Sequence, residues 1–344
     1  MQAVAFQGPE HVELVEKPDP ELLAPDDAIV RILATGVCGS DLHIYHGRVK
    51  IEPGFTIGHE FVGEVVAAGD AVTSAAVGDR VLGCFQVACG TCWFCRRSLF
   101  HKCEHSRTFG HGSGLGDLQG TQAELALVPF ANLALRRVPD GLSDDVALFA
   151  GDVMGTGYHA VVDSGVVPGD TVAVLGLGPV GLCAVQCAVL AGAARVLAID
   201  TVEQRLEMAA SFGAQAVHLT EEDPRAAAKA ATSGRGVDVA IDCVGDPRAL
   251  ELAIRLTRMC GTVQCVGVYA ERAEVHMGLA WIKALTVRTG HANVIKHLDP
   301  VLELLGTGRL DPSPLVTAHM PLHEAPEAYR VYAAREALKI VLVP

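Results

Sequence analysis

Positive charge is scarce in this sequence. Its 344 residues carry 27 lysines and arginines against 40 aspartates and glutamates, a formal net charge of −13. That balance excludes a broad phosphate-binding surface, and nucleic acid is not an expected partner. The N-terminus, MQAVAFQGPEHVELVEKPD, has neither a basic region nor a long apolar run and does not read as a signal peptide. Long charge-free segments are lacking too, with one exception at residues 172–194. Its length would suit a bilayer, but Gly176, Gly178, Pro179 and Gly181 interrupt it. It reads as strand, tight turn and buried helix, so no membrane association is expected. Half of the residues are apolar, enough for two domains with separate cores.

Cysteine is not lacking: there are eleven, an odd and scattered set. A cytoplasmic protein keeps such thiols reduced, and that is the expected location. Cys183, Cys187, Cys243, Cys260 and Cys265 lie in apolar patterns and read as small core residues. Cys89, Cys92, Cys95 and Cys103 differ, because they fall within fifteen residues as C-x2-C-x2-C-x7-C. Disulfides, a redox dithiol and a metal nest are the three possibilities. The compartment argues against the first, and the absence of a surrounding βαβ pattern argues against the second. Four thiolates around Zn²⁺ leave no open coordination position, so the cluster reads as a structural zinc site.

Residues 171–200 carry a second motif. TVAVLG reads as a strand, GLGPVG fits G-x-G-x-x-G at Gly176, Gly178 and Gly181, and RVLAID ends at Asp200. The first glycine permits the turn, the second admits a pyrophosphate, and the third packs helix on strand. Pro179 and Val180 sit between them, where the helix begins. An acid at the end of the second strand accepts hydrogen bonds from ribose hydroxyls and repels a 2′-phosphate, which favours NAD over NADP. Arg205 either stacks near the adenine or is a solvated helix residue. Further runs at AQAVHL, VDVAIDCVG, GTVQCVGVY and ALTVRTG bring the strand count to six, alternating with helical stretches. This is the rhythm of a doubly wound parallel sheet of the Rossmann kind. Strand ends at Val244, Gly245, Val266, Gly267 and Val268 would line the cofactor crevice, or serve as ordinary core and turn.

A third constellation lies upstream. GVCGSDLHIYHG and GHEFVGEV supply Cys38, Ser40, Asp41, His43, His59 and Glu60. A catalytic zinc takes three protein ligands and keeps one position open. Cys38 and His59 supply two. FAGDVMGTGYHA supplies Asp152, unless that residue only caps the helix that follows.

The GHE motif, the four-cysteine lobe, GTGYHA and the GLGPVG turn occur in the order found in zinc-dependent alcohol dehydrogenases of the medium-chain dehydrogenase/reductase family. The chain resembles that family over essentially its whole length. The resemblance implies a mostly β, GroES-like catalytic domain at 1–154 and 293–344, and an NAD-binding Rossmann domain at 155–292. It implies two zinc ions per chain, NAD, a small alcohol or carbonyl substrate, and a homodimer or homotetramer. Ser40 and His43 match the family's proton-relay positions. Asp41 would orient His59, and Glu60 would approach or tune the catalytic zinc. Lys339 matches a basic position that contacts the cofactor pyrophosphate, and Phe85 a pocket-wall position. The chain departs from the pattern at Asp152, where the family has a second cysteine ligand. Some bacterial secondary-alcohol dehydrogenases resemble it in this, so a secondary alcohol or polyol is the expected substrate. A formaldehyde-handling dehydrogenase of the same family is one alternative, and a non-catalytic NAD-binding relative is another.

Overall fold

The computed structural model describes residues 1–344. The chain divides into two compact units, Met1–Gly155 with Asn293–Pro344, and Thr156–Ala292.

The first unit is built on strands. Ala28–Val37 is its longest and pairs antiparallel with Phe61–Ala68. Its other neighbours are Leu125–Val128 and, from the far end of the chain, Ile340–Val343. Phe61–Ala68 pairs in turn with Arg80–Gly83. The register sets Thr35 opposite Phe61 and Gly83 opposite Phe61 on the other side. Three chain segments therefore leave the sheet at one end: the one after Val37, the one before Phe61 and the one after Gly83. Gly151 is held at the same end, because the Phe85 N–H donates to its carbonyl at 3.1 Å. Asp152 arrives there on the segment between Phe149–Gly151 and the helix Val153–Asp163. A side chain at Gly151 would run into the Gly83 carbonyl, so only glycine allows this approach. Val30, Ile32, Phe61, Val65, Phe109 and Leu135 fill the core beneath.

The second unit holds six parallel strands. In sheet order they are Gln215–His218, Arg195–Asp200, Thr171–Leu175, Val237–Asp242, Thr257–Cys265 and Thr286–Thr289. Numbered along the chain this is 3-2-1-4-5-6, with the order reversing beside Thr171–Leu175, where α/β sheets of this kind bind their ligands. Burial on both faces explains the near-continuous apolar runs TVAVL and VLAI. The charge-free stretch 172–194 resolves into the strand Thr171–Leu175 and the helix Pro179–Leu190. No helix is long and apolar enough to cross a membrane.

Two expectations need correction. Cys260 is not a core residue: it is exposed, with a left-handed φ of 55°. Lys339 is not at a pyrophosphate-facing surface. It is wholly buried, with its ammonium paired to the Glu60 carboxylate, because Ile340 pairs with Val37 and draws the C-terminal segment alongside Cys38.

Candidate active site and metal centres

The sheet end described above gathers one ligand atom each from Cys38, His59, Glu60 and Asp152, all within 4.8 Å of one another. Asp152 Oδ2 lies 3.3 Å from Cys38 Sγ and 3.1 Å from His59 Nε2. Ligand atoms bound to one tetrahedral zinc are separated by roughly 3.3–3.7 Å, given bond lengths of about 2.0–2.3 Å. The three donors thus need only small shifts to surround a single ion. A thiol, an imidazole and a carboxylate are all donor types that zinc accepts.

The members of this set shift one another's ionisation. Burial, then the charges of Asp152 and Glu60, push the Cys38 thiol up to about 11. Burial pushes His59 down, but Asp41 and Asp152 outweigh it and hold the imidazole well above its ordinary value. Burial also raises Asp152, yet His59 and Lys339 bring it below the usual carboxylate range. Two carboxylates thus bear on the Cys38 thiol. A divalent ion among these atoms would favour the thiolate.

Glu60 has a partner of its own. Its Oε2 pairs with Lys339, and its Oε1 is buried with no hydrogen-bond partner. Burial raises the Glu60 carboxyl despite Lys339, and the surrounding anions raise Lys339 despite its own burial. The pair fits because residue 36 is glycine, where any Cβ would overlap the Glu60 carboxylate. Lys339 Nζ also stands 5.7 Å above the Phe149 ring.

Ser40 and His43 lie three residues apart on the helix Gly39–Tyr45, hence on one face. Ser40 Oγ is 3.2 Å from His59 Nε2, at the edge of the donor set. His43 Nδ1 is buried and has no hydrogen-bond partner, and burial lowers the imidazole, with Arg48 and His46 adding to the effect. Asp41, fully buried, accepts from the Cys38 N–H at 2.9 Å and stands 3.1 Å from His59 Nδ1.

The four-cysteine lobe forms a second set of donors within 4.8 Å. Cys103 Sγ is 3.5 Å from Cys89 Sγ and 3.9 Å from Cys92 Sγ. Those distances exclude disulfides, whose sulfurs are about 2.0 Å apart, and approach the ~3.8 Å spacing of four sulfurs on one zinc. Burial raises Cys95 strongly, whereas hydrogen bonds from Thr91 bring Cys89 down to about 6 against burial.

In the second unit, Gly176 has φ 83°, and a Cβ there would press on Val244. A Cβ at Gly181 would overlap the Gly176 carbonyl. Gly178 differs: a Cβ there would meet nothing within 4 Å, so open space faces the start of the helix Pro179–Leu190. A pyrophosphate fits that arrangement. Asp200 accepts from Leu177 N–H at 2.6 Å on one oxygen, and from Thr201 and Val202 N–H groups on the other. It therefore braces the Gly-rich turn as well as standing at the strand end. Arg205 Nη1 is 3.9 Å from Asp200, an ion pair rather than a free solvated side chain. Val244 and Val268 are exposed and Val266 and Gly267 partly so, as strand ends bordering a ligand would be.

Sequence reasoning missed several neighbours of the metal-binding atoms. His111 stacks edge-on against His59, ring centres 5.3 Å apart, and its Nδ1 lies 2.8 Å from the Phe109 carbonyl. Only the glycines flanking it in FGHGSG hinted at a constrained loop. Gln122 and Tyr329 carried no local signal.

Fold and site together define a two-domain oxidoreductase with metal-binding donors in one unit and a dinucleotide turn in the other. Comparison with known proteins agrees. Residues 24–140 match the alcohol dehydrogenase GroES-like domain, and residues 179–306 the zinc-binding dehydrogenase family. A zinc-type alcohol dehydrogenase-like protein, AdhB, of Bacillus subtilis is 35% identical, covering 100% of both chains. The structure of alcohol dehydrogenase TADH from Thermus sp. ATN1 superposes with a TM-score of 0.97 at 44% identity, covering 100% of this chain and 99% of that one. A zinc-binding dehydrogenase from Sinorhizobium meliloti, solved with NADP bound, is 31% identical with a TM-score of 0.88, over 100% and 99% of the two chains. The chain belongs to the zinc-dependent alcohol dehydrogenases of the medium-chain dehydrogenase/reductase family.

Proposed function

We propose that this protein oxidises a secondary alcohol or polyol with NAD, reversibly, at a zinc held by Cys38, His59 and Asp152. The observation that carries this reading is the convergence of those three donors at one end of the sheet. When bound, zinc supplies Lewis acidity towards the alcohol oxygen, and the nicotinamide takes the hydride. The protein's own groups do the rest. Asp152 replaces a thiolate without changing the formal ligand charge. Ser40, beside His59, would take the hydroxyl proton on its Oγ while passing its own proton on, through the cofactor ribose, to His43 on the same helix face. Glu60, tethered to Lys339, sets the potential at the donor set. The four cysteines hold a second, structural zinc. None of the eleven cysteines forms a disulfide, which supports a reducing, cytoplasmic setting. Screening short secondary alcohols and polyols for reduction of NAD tests the assignment, and absence of any alcohol-dependent turnover would overturn it.

NAD is preferred on the strength of Asp200. Wild-type kcat/KM should be higher with NAD than with NADP. Asp200→Gly should narrow the gap, since repulsion of a 2′-phosphate is lost. It should also lower stability, because three main-chain N–H groups lose their acceptor. A wild-type preference for NADP would mean that Arg205 governs the site.

The cofactor unit also supports the expected oligomer. Thr286–Thr289 is an edge strand with one side unpaired, and Met277, Trp281 and Ile282, on the helix that precedes it in the chain, are exposed, Trp281 by 81%. An apolar edge of this kind is a pairing surface unless it is covered. A second copy of the chain covers it in this reading. Trp281→Asp should shift the sedimentation coefficient to that of a smaller assembly. An unchanged coefficient would remove the edge from the interface.

A further inference from the structure

His59 presents Nε2 to the metal-binding atoms and Nδ1 to Asp41. The Asp41 carboxylate is wholly buried, yet no Lys or Arg pairs with it. Its Oδ1 is 3.1 Å from His59 Nδ1 but out of line for a hydrogen bond, so both atoms remain unsatisfied. A small turn of either group completes that bond. Whatever fixes the Asp41 carboxylate therefore fixes how His59 meets a metal ion.

Two groups hold Asp41 Oδ2. One is the Cys38 N–H at 2.9 Å, and the other is the Gln122 side chain at 3.5 Å. Gln122 is fully buried, and its orientation follows from its neighbours. The Gly36 carbonyl, 3.0 Å away, can only accept, and so can the Asp41 carboxylate. The NH2 group must face both. The amide oxygen then points the other way, where the Tyr329 hydroxyl donates to it at 3.0 Å. Tyr329 is fully buried on the helix Ala325–Ala333, 207 residues further along the chain, and packs on Tyr45. The backbone is shaped around this link: Gly58, next to His59, has φ 95°, and a Cβ there would overlap Gln122.

We propose that Tyr329 is a positioning residue for the catalytic metal, acting through Gln122 and Asp41 on His59. The inference rests on the reading of Cys38, His59 and Asp152 as zinc ligands. Its chemical logic is a relay of hydrogen bonds. The Gly36 carbonyl and the Asp41 carboxylate set which way the Gln122 amide faces, and the Tyr329 hydroxyl anchors its far end. Without that hydroxyl the buried amide oxygen loses its donor, and the amide can shift off the long 3.5 Å bond to Asp41. The carboxylate is then held by the Cys38 N–H alone, and His59 turns with it. Groups that orient a metal-bound imidazole typically change metal affinity 10–100-fold when removed.

Zinc release separates this role from general packing, because the four-cysteine site in the same unit is an internal control. Holoenzyme mixed with a chelating dye should release zinc in a fast phase from the open site and a slow phase from the four thiolates. Tyr329→Phe should accelerate the fast phase by about tenfold and leave the slow phase unchanged. Gln122→Glu keeps the volume and the acceptor for Tyr329 but faces Asp41 with a second carboxylate. It should accelerate the same phase. Equal acceleration of both phases would show a merely structural role and overturn the proposal, as would wild-type rates in either variant. A wild-type protein with no fast phase would overturn the zinc-ligand reading itself, and this inference with it.

Discussion

Asp152→Asn should lower turnover by about 100-fold or more and remove one of two zinc ions, while the protein stays folded. The size of the effect follows from the position of one atom. Asp152 Oδ2 is within 3.3 Å of both Cys38 Sγ and His59 Nε2, so it is the donor that closes the set. Asparagine keeps the volume but replaces a charged ligand by a neutral amide, and leaves two donors where an open catalytic site needs three. It also keeps much of the ability to cap the helix Val153–Asp163, so a capping role would not be disturbed. Metal analysis and steady-state kinetics on the purified variant therefore give different answers for the two roles. A ligand mutant falls from about two zinc ions per chain towards one and loses turnover. A capping mutant keeps both metals and most of its activity, and that result would assign the third ligand elsewhere.

The second large effect is on stability rather than chemistry. Cys95→Ala should lower the midpoint of thermal unfolding by roughly 6–12 °C. A metal that joins Cys89 to Cys103 closes a fifteen-residue loop, and a crosslink of that span contributes about 3 kcal/mol by chain-entropy arguments. For a cooperative unit of about 200 residues, each kcal/mol shifts the midpoint by roughly 2–4 °C. Regular secondary structure is scarce in this lobe. Between Val87 and Arg107 it has only two short 3-10 turns, Cys95–Arg97 and Phe100–Lys102. At low temperature kcat should stay near the wild-type value, since no atom of the lobe belongs to the donor set around Cys38. Calorimetry alongside kinetics separates the two quantities. An unchanged midpoint, or a loss of kcat without loss of stability, would contradict a structural zinc.

The parts of this protein that could be read from sequence are those where chemistry and spacing coincide within a few residues. Cys89, Cys92, Cys95 and Cys103 can be grouped in sequence because their spacing alone lets the sulfurs converge, and the structure does bring them together. The turn at Gly176, Gly178 and Gly181 is legible because strand, glycines and helix follow in one continuous run. The six parallel strands show themselves through apolar runs that only a doubly covered sheet requires. Cys38, His59 and Asp152 are harder, since sheet register rather than local spacing joins them. Asp152 stands out in sequence only as an acid just ahead of the cofactor domain, and the family pattern marks the same position as a ligand's. What stayed hidden depends on pairing between distant segments. Ile340 lies opposite Val37, which buries Lys339 on Glu60, and nothing near residue 339 announces this. Tyr329 meets Gln122 for the same reason. Gly36 looks like a turn glycine in TGVCG, but its reason is the buried carboxylate beside it. Cys260 misled because it sits in an apolar strand pattern at a position that folds with a left-handed φ.

In the proposed function, one exchangeable metal ion, held by Cys38, His59 and Asp152, is required for alcohol oxidation. The most direct measurement follows alcohol-dependent formation of reduced nicotinamide while zinc is withdrawn by a chelator and then restored. Activity should vanish with the first zinc released, while the second remains bound and the fold is intact, and it should return when one equivalent is added back. Full activity after the first zinc has left would contradict the account.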